Sequence, residues 1–112
     1  MEKQIYAYHA EMCKVFSHPK RLQLINILRD KEISVGELAE RLDMTSANLS
    51  QHLAMMRERH ILVSRKEGNA VYYRIANRRL LQAFDLLREI LFEQLRQDAS
   101  LVQLEETRGE ER

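Results

Sequence analysis

One cysteine, one proline and three glycines are all that this 112-residue chain contains of those residue types. The single cysteine, Cys13, excludes an intrachain disulfide. Scarce glycine and one proline, Pro19, leave few turns. With abundant Leu, Ala, Glu and Arg, that argues for a mainly helical protein. There is no Gly-rich phosphate loop, no catalytic carboxylate pair in a pocket motif and no nucleophile–base arrangement, so an enzyme is not expected. No apolar run approaches the roughly 20 residues that cross a bilayer. No signal-peptide pattern opens the chain. A soluble, cytoplasmic protein is expected, with no membrane partner. The length suits one domain with a modest core, small enough for a partner subunit to matter.

The formal net charge is only +1, but the charge is unevenly placed. Arg57–Arg79 holds seven Lys/Arg against two acids, a local +5, whereas Asp98–Arg112 holds five acids against two arginines, a local −3. In a chain that is 31% charged, Met44–Met56 carries no formal charge.

Apolar spacing predicts a first helix over residues 3–16, through Ile5, Tyr6, Tyr8, Met12, Val15 and Phe16. Ser17 or His18 opens a second, with Pro19 in its first turn. Leu22, Leu24, Ile25, Ile27 and Leu28 make that helix the central core element. Ser34 and Glu37 read as a capping box ahead of a short helix with Leu38 and Leu42 inward. Thr45 caps the next helix, which runs to about Arg59. In "LVSRKEGNAVYYRI" the period changes to two. Strands over 62–66 and 71–75 flank Gly68-Asn69, a turn needing positive φ. Asn77 can cap a last helix to about Gln97. The expected architecture is a winged helix-turn-helix, mainly α with a small β-hairpin. Residues 1–97 form the DNA-binding and dimerisation domain, and 98–112 an acidic, disordered tail with little to bury.

The helix opened by Thr45 explains the uncharged run. Leu49, Leu53 and Met56 make an inward stripe. Ala47, Ser50, Gln51 and Ala54 face outward, flanked by Asn48 and Met55; Ser46 joins the candidate DNA contacts, and His52, beside that face, either touches a phosphate or braces the helix. Amides, hydroxyls and methyl groups match the donor, acceptor and methyl pattern of base edges, whereas acids would repel nearby phosphates. The phosphates would be met by Arg57 and Arg59 at the helix end, by Arg65, Lys66, Asn69 and Arg74 on the hairpin, and by Arg78 and Arg79 after it. Double-stranded DNA is the partner implied. An alternative is a winged-helix module for protein–protein contact, with the acidic tail as its docking segment.

The segments "HPKRLQLI", "ELAERLDMTSANLSQHLAMMRE" and "RKEGNAVYYRI" resemble the ArsR-type (ArsR/SmtB) repressors, over residues 16–77. That resemblance implies a homodimeric winged-helix repressor, released from an imperfect palindrome by an inducer. Asp43 departs from the glycine frequent in the family's helix-turn-helix turn, though Asp tolerates the left-handed conformation. The last helix carries Leu80, Leu81, Phe84, Leu87, Leu91 and Leu95 on one broad face, with Ala83, Leu86 and Ile90 beside it. This is more than a terminal helix needs for its own domain. The first and last helices are therefore expected to pack across a two-fold axis.

The sensor is less legible. Metal sensors of the resembled family often carry two cysteines in the third helix, where this chain has Ser34 and Gly36. Another family site uses Asp and His on the last helix, which here has Asp85, Glu89 and Glu93 but no histidine. No metal or other cofactor is therefore assigned. Cys13 and His9, four residues apart on one helix face, remain a candidate thiol or soft-metal switch for a small inducer. The plainer alternatives are a buried structural cysteine and a constitutive regulator without a chemical sensor.

Overall fold

The computed structural model describes the backbone of residues 1–110 and the side chains of residues 1–99. It divides into two compact units, residues 1–78 and 79–112.

The first unit opens with α1 (Glu2–Cys13), which buries no side chain, and passes through a 3₁₀ turn (Lys14–Ser17) to α2 (Pro19–Leu28). The first core residue is Val15, in that turn. Of the two candidates for the α2 cap, His18 takes the position: its Nδ1 accepts the Lys20 amide at 3.1 Å. Ser17 instead donates its hydroxyl to the Lys14 carbonyl at 2.6 Å. Leu24, Ile25 and Leu28 of α2 are fully buried. Removing each from water contributes about 1.5–3 kcal/mol.

β1 (Ile33–Ser34) leads directly into α3 (Val35–Leu42). Ser34 Oγ accepts the Glu37 amide at 3.2 Å. The reciprocal half of the expected capping box does not form, because the Glu37 carboxylate accepts from Arg41 at 3.0 Å, one helical turn on. Then α4 (Ser46–Glu58) starts at Thr45, whose Oγ1 accepts the Asn48 amide at 3.2 Å.

Both of these helices stop in the same way. Asp43 (φ 51°) and His60 (φ 61°) are left-handed. At each, its own amide and the next one donate back to helix carbonyls: Asp43 to Glu40 and Met44 to Ala39, then His60 to Arg57 and Ile61 to Met56. That is the Schellman pattern, here without glycine.

The hairpin consists of β2 (Leu62–Glu67) and β3 (Ala70–Ile75), paired from Leu62↔Ile75 to Glu67↔Ala70. Only Gly68 in its two-residue turn has positive φ (60°), so the left-handed requirement falls on the glycine and not on Asn69. Positive φ at the first central residue alone is the pattern of a type II′ turn. The expected hairpin is in fact part of a three-stranded antiparallel sheet in the order β1-β3-β2, through Ile33↔Tyr73 and Ser34↔Tyr72. Two residues are too few to show a period, and their partners lie far along the chain.

The second unit is α5 (Arg79–Glu110). It starts two residues after the expected cap Asn77 and continues past Gln97, through Glu, Gln, Leu and Arg, which are good helix formers. Arg88 lies 5.5 Å from the centres of both the Phe84 and Phe92 rings, four residues to either side. The side chains of residues 100–112, on which the expected tail depends, lie outside those described.

Candidate nucleic-acid interface

The inward stripe of α4 is complete: Leu49 and Met56 are fully buried and Leu53 nearly so. With that face fixed, Ser46, Ala47, Asn48, Ser50 and Gln51 are exposed, and Ala54 and Met55 are half-buried. Neighbouring elements fix the angle at which the helix is presented. Lys20 Nζ on α2 donates to the Leu42 carbonyl at 2.8 Å, capping α3 where the turn begins.

His52 packs against α2. It is half-buried, its ring lies 4.5 Å from that of His18, and its Nδ1 is 3.4 Å from Arg21 Nη1. Arg21 is itself anchored, donating to the Lys14 carbonyl at 2.9 Å and to Ser17 Oγ at 3.2 Å. Burial first, then the nearby His18 and Arg21, depress the His52 pKa and favour the neutral ring. Neutral His52 can accept from Arg21, which ties the flank of α4 to α2 and the 3₁₀ turn.

Six of the seven basic residues between Arg57 and Arg79 fall into two groups. Arg57, Lys66 and Arg74 are exposed and pair with no acid among the described residues. Three others have internal partners. Arg59 donates to Glu11 Oε2 at 2.7 Å and to the Glu11 carbonyl at 3.1 Å, so it ties α4 to α1. Lys14 first, and Arg59 second, hold the Glu11 carboxyl below its usual range. Arg65 is bound to Glu32 and Glu67, and Arg78 to Asp30. Sequence could not separate the groups, because the acids at Glu11, Glu32 and Asp30 are remote along the chain.

The sheet register also divides the wing. Lys66 pairs with Val71 on the same side as Ser64–Tyr73 and Leu62–Ile75, whereas Arg65 pairs with Tyr72 and Arg74 with Val63 on the other. A groove of about 510 Å³ runs between α4 and the wing, lined by Ser50 and Leu53, by Asn69, Ala70, Val71 and Tyr73, and by Ser34, Val35 and Gly36. Of the wing's basic residues, Lys66 shares the sheet face of Val71 and Tyr73 that borders this groove.

Residues 18–62 match the model of the bacterial regulatory proteins of the arsR family. The chain is also 35% identical over 79 residues to the transcriptional activator HlyU of Vibrio cholerae, an alignment covering 70% of this chain and 73% of that protein. The chain belongs to the ArsR family. Its ArsR-family relatives include the biofilm growth-associated repressor of Agrobacterium fabrum, 37% identical over 70% of this chain and 67% of that one. The homodimeric winged helix-turn-helix DNA-binding domain Mb0332 of Mycobacterium bovis superposes on this ArsR-family fold with a TM-score of 0.77. Identity there is 26%, covering 84% of this chain and 87% of that domain.

At the two positions where the resemblance would place metal-binding cysteines, this ArsR-family chain has the N-cap Ser34 and the exposed Gly36, whose missing Cβ would meet nothing. Cys13 is exposed at the end of α1, not buried as a structural cysteine would be, and His9 is exposed on the same helix. No group of three or more metal-ligating side chains is present among the described residues. No helix among those residues is long and apolar enough to cross a membrane.

Proposed function

We propose that this ArsR-family protein is a cytoplasmic, homodimeric, sequence-specific DNA-binding repressor without catalytic activity. The carrying observation is α4: a rigidly capped helix with an uncharged outward face, beside a wing that carries Lys66 and Arg74. In this reading Ser46, Ala47, Asn48, Ser50 and Gln51 meet base edges, while Arg57, Lys66, Asn69 and Arg74 meet the backbone. A dimer would use the exposed apolar residues of α1 (Ile5, Tyr6, Tyr8) and of α5 (Leu87, Leu91, Leu95). The homodimeric Mb0332 neighbour supports this assembly. Two reading helices would then meet half-sites one helical turn, or a multiple of it, apart.

A gel-shift titration against the protein's own promoter region tests the reading at matched salt. Binding no tighter than to random DNA overturns it. Ser50→Ala with Gln51→Ala separates it from a protein-docking module, since base readout predicts lost promoter recognition with an intact fold. Release by an inducer acting at the exposed Cys13 is a further part of the reading. Cys13→Ser should keep DNA binding and lose the response to thiol-reactive compounds; an unchanged response assigns Cys13 no sensing role.

A further inference from the structure

Arg65 is the wing residue whose charge is already answered. It lies across the sheet, with its guanidinium 4.8 Å from the centre of the Tyr72 ring on the middle strand. Its Nε donates to Glu32 Oε1 at 2.6 Å and its Nη1 to Glu67 Oε2 at 2.7 Å. Glu32 stands just before β1 and Glu67 at the end of β2, so the two carboxylates come from opposite margins of the sheet. The register requires this reach: Arg65 faces Tyr72, and Tyr72 faces Ser34. Laid over the Tyr72 ring, the Arg65 guanidinium reaches carboxylates from both margins. The two acids, Glu67 first, also favour the charged guanidinium. Two carboxylates around one guanidinium leave the cluster net negative. Lys66 and Arg74, close by on the same hairpin, have no acid partner among the described residues.

We propose that Glu32 and Glu67 form an anionic clamp that makes Arg65 a conditional phosphate ligand and thereby suppresses binding to non-operator DNA. The inference rests on the DNA-binding reading above. Binding to random sequence comes essentially from phosphate charge, and the clamp withholds one cation from it. All three side chains are substantially exposed, at 50% for Arg65, 29% for Glu32 and 67% for Glu67. Exposed pairs of this kind contribute little energy, so a phosphate can replace a carboxylate at small cost. Once α4 is seated in its own site, a phosphate is held beside the wing at high effective concentration and displaces a carboxylate. On random DNA the protein samples many registers, no phosphate stays in place, and the clamp remains closed.

The test compares wild type, Glu32→Gln/Glu67→Gln, Arg65→Ala and the triple variant by fluorescence anisotropy across a salt series, with thermal melts to verify folding. The probes are the tightest duplex recovered by in vitro selection and a scrambled duplex of the same length. The double variant should bind the scrambled duplex roughly threefold tighter at low salt, with a salt slope steeper by about one. Its affinity for the selected duplex should change less. Arg65→Ala should weaken the selected duplex more than the scrambled one, which loses affinity only through the two carboxylates left unneutralised, and in the triple variant the gain on scrambled DNA should vanish. The clamp is overturned if the double variant binds scrambled DNA as wild type does. It is also overturned if the gain survives without Arg65, since the acids would then act by simple repulsion. Should wild type recover no preferred duplex, the DNA-reading proposal falls, and the clamp with it.

Discussion

His52 stands on α4, beside its uncharged outward face, yet its side chain is occupied by the protein itself. Because the fold depresses its pKa, the unfolded chain takes up the proton first as pH falls below the ordinary value of 6.5. Stability contributed by neutral His52 is therefore complete above that value and declines as pH drops toward the lowered folded pKa. Urea midpoints measured from pH 8 to pH 5 should show this decline, and His52→Gln should flatten it. An equal decline in the variant would remove His52 from the explanation. Arg57 and Arg59 make a second contrast at this scale. Arg57→Ala should reduce the slope of log affinity against log salt by about one. Arg59→Ala should leave that slope alone and lower the melting temperature, because its guanidinium is committed to Glu11. These two arginines, two residues apart, were indistinguishable in the sequence. Their difference lies in whether α1 offers a carboxylate.

Among the elements, the helix pair was legible because its signals are local. Ser34, Thr45 and Asp43 act within three or four residues of themselves, and the stripe Leu49, Leu53, Met56 follows from helical spacing. The sequence placed the end of α4 at about Arg59, without the left-handed backbone that His60 adopts there. A histidine in that conformation carries the Cβ strain that glycine avoids. His60→Gly should stabilise the protein by about 0.5–1 kcal/mol, seen as a higher urea midpoint with unchanged m-value. A loss of stability would mean that the His60 side chain contributes more than its backbone conformation costs. β1 shows the opposite case. Its two residues have no readable pattern, and it exists because β3 offers Tyr72 and Tyr73 as an open edge.

For the whole molecule, the question is what covers the apolar surface that one chain leaves in water. Leu86, Leu87, Leu91 and Leu95 along α5 are each about half exposed, as is Ile5 on α1. Patches of contiguous apolar residues mark interaction sites. The proposed two-fold assembly predicts that Leu87→Glu with Leu91→Glu converts a dimer to a monomer in sedimentation equilibrium and lowers operator affinity. Wild type that is already monomeric at micromolar concentration would sink the dimer and the paired half-sites together.

The sequence by itself determined the helix order, the caps, the hairpin and the uncharged outward face of α4, because each depends on residues within a turn or two of one another. Tertiary structure decided which charges remain available. Arg59, Arg65 and Arg78 meet acids 48, 33 and 48 residues away, and His52 meets Arg21 across 31. Spacing along the chain cannot reveal pairings that only folding brings within hydrogen-bond reach. That is why the uncharged outward face of α4 could be recognised before the fold was known, while the division of the basic residues into those with and without an acid partner could not.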